Sequence, residues 1–213
     1  MNSNYLMIQS SIGRKIIMAI TGIFLIFFLL LHLSINFFLF YGEKTFNNAV
    51  IFMRSNIFIK ISEYILALGF IIHILLGFKL HLKNKKSKGK IDYYIKNDIT
   101  TFSSKSMIYT GFLILCFLIL HLMNFMIPIY NKPIISDYIL VISLFKNPIY
   151  TLIYLISFCI LGIHLNHGFQ STFQSLGFSN KRNFFWIQKL GYFYTWFICC
   201  GFSIIAIWFF LKN

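Results

Sequence analysis

An all-α integral membrane bundle of five helices is the fold class predicted for this chain, and three observations predict it. Of 213 residues, 58% are hydrophobic and only 11% charged, whereas soluble domains carry about 25% charged residues. Five apolar runs reach the roughly 20 residues that a helix needs to cross a hydrocarbon core. The basic residues gather at the ends of those runs, where lysines anchor helices and meet anionic headgroups.

In chain order the predicted spans are 16–40, 58–80, 107–130, 148–170 and 191–211, within one membrane domain covering 1–213. The first run is too long for a signal h-region and has no small-residue cleavage site after it, so it is expected to stay as a helix. Polar and turn-forming residues separate the runs: Tyr41-Gly42-Glu43-Lys44, then Lys83 to Lys90, then Pro128 to Pro133, then Gly177 to Asn183. No internal repeat and no second domain is evident.

Thirteen of the nineteen Lys and Arg residues lie in the N-terminal segment (Arg14, Lys15), the second connection (Lys79 through Lys105) and the fourth (Lys181, Arg182, Lys189). The positive-inside rule then puts the N-terminus in the cytoplasm and the C-terminus outside. The basic stretch 83–106, with Tyr93 and Tyr94 at its middle, becomes a cytoplasmic loop. A net charge of +14 laid out in this way fits a lipid surface and excludes a nucleic-acid-binding face. Cys116, Cys159, Cys199 and Cys200 show no metal or redox spacing and are expected to be small buried hydrophobes.

Four histidines, His32, His73, His121 and His164, each sit inside a different apolar run. An ionisable residue in a membrane span is costly, so by default it marks a functional site. Helix rise gives their depths: about 24 Å from the inner boundary for His32, about 21 Å for His121, and about 10 Å for His73 and His164. They sort into an outer level (His32, His121) and an inner level (His73, His164). One metal bound by all four is excluded, because metal–nitrogen bonds are about 2 Å long. Two readings remain open. Two b-type haems, each taking one imidazole on either face, would use two histidines per site in the core of a bundle. Hydrogen bonding or proton relay is the simpler role for any one of the four. Gly22, Gly69, Gly77, Gly111 and Gly162 would let helices close around a porphyrin.

Arg14, Lys15 and Lys181 are candidates for pairing with haem propionates, with membrane anchoring as the plainer alternative. His81 and His167 lie near the basic edge, as surface or capping residues or as propionate or quinone contacts. Glu63, near the outer side, is a candidate proton acceptor for a quinol or a helix N-terminal residue with Ser62.

The motifs carry a resemblance. Ser11-Ile12-Gly13-Arg14-Lys15 leads into Thr21-Gly22, then Leu31-His32-Leu33-Ser34-Ile35-Asn36 and Thr45-Phe46-Asn47. Ile72-His73-Ile74-Leu75-Leu76-Gly77, Leu120-His121-Leu122 and Gly162-Ile163-His164-Leu165-Asn166-His167-Gly168-Phe169-Gln170-Ser171 follow. In this order the chain resembles the cytochrome b membrane subunit of succinate dehydrogenase/fumarate reductase, of the single-subunit, five-helix, two-haem type, over almost its full length. The resemblance implies an outer haem on His32 and His121 and an inner haem on His73 and His164. It implies a flavoprotein and an iron–sulfur subunit on the cytoplasmic face of a bacterial inner membrane, with electrons exchanged with quinone, commonly menaquinone. No dicarboxylate chemistry is expected on this chain, which has no dinucleotide-binding glycine motif and no cluster-type cysteine set. The alternatives are a haem b subunit of another quinone-linked dehydrogenase, and a haem-free transporter or assembly protein. Transporters tend to show internal repeats and helices broken at the midplane.

Overall fold

A computed structural model describes residues 10–88, 102–131, 136–178 and 180–212. All described elements are helical, and most open on a side chain that satisfies their first N–H groups. The Ser10 hydroxyl accepts from the Gly13 N–H at 2.9 Å and starts α1 (Ser11–Asn36). A 3-10 turn over Phe37–Tyr41 ends at Gly42, whose φ of 95° favours glycine. The short α2 (Glu43–Ser55) follows, with Glu43 in its first turn and Arg54 in its last, the polarity that suits the helix dipole. Asn56 alone separates it from α3 (Ile57–Lys88), its Oδ1 accepting from the Phe58 N–H at 2.9 Å and the Ile59 N–H at 3.3 Å.

The second half repeats this plan. α4 (Phe102–Asn131) is followed by the short α5 (Asp137–Lys146), capped by Ser136. Asn147 and Pro148 then open α6 (Pro148–Ser175). Asn180 opens α7 (Lys181–Leu211), its Oδ1 accepting from the Asn183 N–H at 2.8 Å.

Five segments are long and apolar enough to cross a membrane: Ser11–Tyr41, Ile57–Lys85, Ser106–Pro128, Pro148–Ser175 and Arg182–Leu211. The chain is therefore a multi-pass membrane protein of the all-helical class. Its outer surface bears this out: Phe58, Tyr64 and Phe193 are 77%, 79% and 71% exposed, large side chains that only lipid would cover. The cysteines correct the expectation of burial. Cys116, Cys159 and Cys200 are exposed and Cys199 is half-buried, all as free thiols. In lipid, small apolar side chains face outward at no cost.

The helices overrun the predicted spans, because a helix need not stop where its apolar stretch stops. α7 starts at Lys181 rather than 191, with its polar first turns carrying Trp186 and Lys189; the Lys189 Nζ lies 4.3 Å from the Phe185 ring. The basic segment 83–106 is helical at both ends, and Tyr93 and Tyr94 lie outside the described residues. α2 and α5 occupy stretches read only as breaks. Asn56, not Ser62, caps α3. The Ser62 hydroxyl instead donates back to the Phe58 carbonyl at 2.7 Å, so no N-terminal role falls to Glu63.

An internal repeat, not evident from the sequence, emerges from this order. α1–α2–α3 and α4–α5–α6 are each a span, a short helix and a span. Thr21-Gly22 stands eleven residues before His32, and Thr110-Gly111 eleven residues before His121. Between 21–33 and 110–122, seven of thirteen positions are identical: Thr, Gly, Phe28/Phe117, Leu29/Leu118, Leu31/Leu120, His and Leu33/Leu122. The two short helices also meet each other. Asn47 donates to the Ser136 hydroxyl at 2.9 Å and accepts from the Tyr138 N–H at 3.1 Å, and Arg54 pairs with Asp137 at 2.6 Å.

Packing places α1, α3, α4 and α6 at the corners of a square. α1 packs on α3 and α6, and α4 packs on α6 and more lightly on α3, while the diagonal pairs α1/α4 and α3/α6 share no extended face. α7 lies outside the square against α6 and α1. Leu33 is fully buried against Gly201 of α7, where an added Cβ would come within 2.7 Å of Leu33 Cδ2.

Candidate functional site

The diagonals of the square carry the histidines. α1 and α4 supply His32 and His121; α3 and α6 supply His73 and His164. The members of each pair are equivalent positions of the repeat. A ligand between either pair would lie in the bundle core, where facing helices commonly build cofactor sites.

At the Tyr41 end of the bundle, the His32 and His121 rings lie 5.8 Å apart, centroid to centroid, with planes at 88°. Two metal–nitrogen bonds of about 2 Å laid end to end, with the ring offsets added, give roughly 6 Å for a pair of imidazoles on opposite sides of one metal. Aromatic rings enclose the pair. Phe28 stacks on His32 at 5.4 Å and Phe202 tilts against it at 5.6 Å; Phe117 and Phe125 flank His121 at 5.9 and 5.1 Å. His121 also has a polar neighbour. Its Nδ1 lies 3.5 Å from the Tyr154 hydroxyl, which accepts from the Asn124 amide at 3.1 Å.

At the Ser11 end, His73 and His164 are held by matching contacts. The Thr21 hydroxyl of α1 lies 3.2 Å from His73 Nδ1, and the Thr110 hydroxyl of α4 lies 3.2 Å from His164 Nδ1. Each threonine also sits over the carbonyls of its own previous turn, Thr21 at 3.1 and 3.0 Å from Ile17 O and Met18 O, Thr110 at 3.1 Å from both Ser106 O and Met107 O. The glycine that follows Thr110 leaves room for the His164 imidazole, whereas the one that follows Thr21 leaves room chiefly for Thr172 of α6. A Cβ at Gly111 would stand 3.3 Å from His164 Cε1; one at Gly22 would stand 4.0 Å from His73 Cε1 and 3.0 Å from Thr172 Oγ1. His164 is within electrostatic reach of His73.

These contacts measure the distance between levels. From Thr21 to His32, and again from Thr110 to His121, the helix advances eleven residues, or about 16 Å at 1.5 Å per residue. Two separate sites follow from that spacing. Among the described residues no group of three or more His, Cys, Asp and Glu side chains could hold a single metal.

The other candidates divide. Arg14 lies two helical turns before Thr21 on the same face of α1, and its Nε is buried with no hydrogen-bond partner among the described residues. An acidic group arriving at that level would satisfy it. His167 is half-buried one turn beyond His164 and within its electrostatic reach. Lys15, Glu63 and His81 are exposed. The side chain of Lys181 lies outside the described residues. A surface depression of about 430 Å³ lined by Ile204, Ile207, Trp208, Leu211 and Lys212 sits on α7, remote from every histidine.

The paired imidazoles would suit a haem at either level; aromatic rings surround the Tyr41-end pair, while at the Ser11 end Gly111 stands against His164 and Arg14 Nε has no partner among the described residues. Sequence reasoning missed Thr110, Asn124, Tyr154 and Phe202. The signal for the first was present, since Thr-Gly occurs twice at one spacing from a histidine. Neither a family model, a curated protein nor a solved structure matches the chain.

Proposed function

We propose that this chain is the two-haem cytochrome b membrane anchor of a succinate:quinone oxidoreductase in a bacterial cytoplasmic membrane. The observation that carries the two-haem part is the diagonal pairing of His32 with His121 and of His73 with His164, two levels about 16 Å apart. The motif resemblance supports the choice of partners, a flavoprotein and an iron–sulfur subunit on the basic face, and of quinone, chiefly menaquinone, as the exchanging substrate.

Bound haem supplies reversible one-electron chemistry whose potential depends on ligand basicity, burial and hydrogen bonding. The chain's residues do the rest. The four imidazoles would hold the irons, and Gly111 keeps the space beside His164 clear. Phe28, Phe117, Phe125 and Phe202 keep water from the Tyr41-end pair. Arg14 offers its unpartnered Nε to a carboxylate at the Ser11 end. Glu63 is placed to take a proton released from a quinol on the lipid side.

Absorbance and haem stoichiometry of the purified protein test the reading. Two b-type haems per chain, reducible by succinate when the soluble subunits co-purify, are expected. Absence of a Soret band removes it. Two haems with soluble subunits of a different activity, such as a hydrogenase or formate enzyme, would keep the cytochrome and replace the partner.

One observation favours a second reading. Repeats related by an axis along the membrane normal occur in transporters, and α1–α3 with α4–α6 form such a repeat. The proton-relay histidines of a haem-free transporter would then occupy equivalent positions. Transporter sites, however, form at helices broken near the midplane, whereas α1, α3, α4 and α6 run unbroken past both levels.

A further inference from the structure

We infer that Thr21 and Thr110 are positioning residues that fix the tautomer of His73 and His164, so that each imidazole turns an unprotonated Nε2 to whatever the bundle core holds. The ligand in question is the haem iron of the reading above, and in that respect the inference rests on it; the tautomer itself does not.

The argument is one of counting protons. A threonine hydroxyl has one hydrogen to donate and lone pairs to accept with. Thr21 Oγ1 has three partners in range: Ile17 O at 3.1 Å, Met18 O at 3.0 Å and His73 Nδ1 at 3.2 Å. The carbonyls can only accept. When the hydroxyl donates to a carbonyl, its lone pair is free to take a proton from Nδ1–H, and every hydrogen has an acceptor. In the opposite arrangement the hydroxyl donates to Nδ1, and the ring proton moves to Nε2. No hydrogen bond to that nitrogen of His73 is seen among the described residues, and a buried donor left unmade costs about 1–3 kcal/mol; the His164 ring has the Met107 backbone carbonyl as a further acceptor. The first arrangement therefore prevails, and Nε2 is left with its lone pair. Thr110 repeats the case with Ser106 O and Met107 O at 3.1 Å and His164 Nδ1 at 3.2 Å. A ring nitrogen's protonation is set by what the other nitrogen bonds, and ligating histidines generally pass their second N–H to an acceptor in this way.

The arrangement is built into each helix as a two-residue seat. Threonine, branched at Cβ, keeps few rotamers in a helix, and back-bonding to the previous turn selects among them. The threonine recurs on two helices, for two histidines supplied by the neighbouring helix of the same half, and the close approach of glycine to ring occurs at Gly111.

The test uses the full-length protein with 15N-labelled histidine, purified with any subunits that accompany it, in wild-type form and as Thr21→Val, Thr110→Val, Thr21→Ser and Thr110→Ser. The 15N shifts of haem-free protein report the tautomer directly. We expect Nδ1–H for His73 and His164 in wild type and in the serine variants, with loss of that preference at one histidine in each valine variant. In haem-loaded protein, valine removes an acceptor that makes the imidazole more basic, so one of two midpoints should rise while the other stays. A tenfold change in the reduction equilibrium reads as about 59 mV, and serine should restore most of it. The inference is overturned by Nε2–H tautomers in wild type, by valine variants whose shifts match wild type, or by both midpoints moving together. If wild type binds no haem, the two-haem reading fails while the tautomer measurement still decides this one. If a valine variant does not fold, the serine variants and the wild-type tautomers decide alone.

Discussion

The two ends of the bundle hold their histidines differently. At the Ser11 end, His73 and His164 have the same partner type, at the same distance, from equivalent positions of the repeat. At the Tyr41 end, His121 meets the Tyr154 hydroxyl, while the His32 ring has aromatic rings around it and no hydrogen bond among those described. The register explains the difference. Tyr154 stands ten residues before His164, and ten residues before His73 stands Glu63. Tyr154 is buried and reaches His121; Glu63 is exposed and does not reach His32. On that side α7 contributes Phe202 instead. The twofold relation is thus kept at the Ser11 end and abandoned at the Tyr41 end, where α7 lays Phe202 against His32 while Tyr154 of α6 meets His121.

The largest expected effect comes from the ligands themselves. On the proposed two-haem reading, His32→Ala or His121→Ala should lower haem content from two per chain to one and leave the Ser11-end haem with its own midpoint; His73→Ala or His164→Ala should do the converse. Loss of a single haem from each, measured as haem per chain, sharpens the comparison. Retention of both in any variant would break it.

Next is Gly201→Ala, which puts a Cβ 2.7 Å from Leu33 Cδ2, beside His32. Overpacking of this kind costs about 1–3 kcal/mol, read as a lower thermal midpoint in detergent. The Tyr41-end haem should be lost first on heating, because only that level leans on α7 at Leu33. Tyr154→Phe should follow. It removes the hydroxyl from both His121 and the Asn124 amide, at about 1–3 kcal/mol for the buried group left unpaired. Only the Tyr41-end midpoint should move; a shift at the other level would show the two sites to be coupled.

Smallest is Arg54→Ala, which cuts the ion pair to Asp137 between α2 and α5. Arg54 is 44% exposed, so about 0–1 kcal/mol is expected. Asn47, which bonds to both Ser136 and Tyr138, should keep the short helices together.

Much of this was legible in the sequence, and the exceptions have physical reasons. Hydropathy finds spans because lipid demands long apolar runs, so the five membrane helices and the two histidine levels could be read from residue numbers and helix rise. α2 escaped because it is short and largely polar, and α5, though apolar, because ten residues are too few to cross a bilayer. The repeat escaped because its identities concentrate in one half-helix, and because paired histidines are 41 residues apart in the first half (His32 to His73) and 43 in the second (His121 to His164). Tyr154 and Thr110 look like ordinary helix residues until a neighbouring helix brings a ring nitrogen within reach. What a side chain touches across a bundle is a property of packing, and no spacing along one helix contains it.

The diagonal placement has a consequence for assembly. Each half, α1–α3 or α4–α6, contributes one histidine to each level, so neither half can complete a site alone. Membrane helices insert first and associate afterwards, and both sites would come into being together, at the moment the halves dock. A ligand that binds only the docked form favours it by RT ln(1 + [L]/Kd). Haem would then add a clasp to the contacts that already join the halves, α1 against α6 and α2 against α5, on the side where α3 meets α4 only lightly.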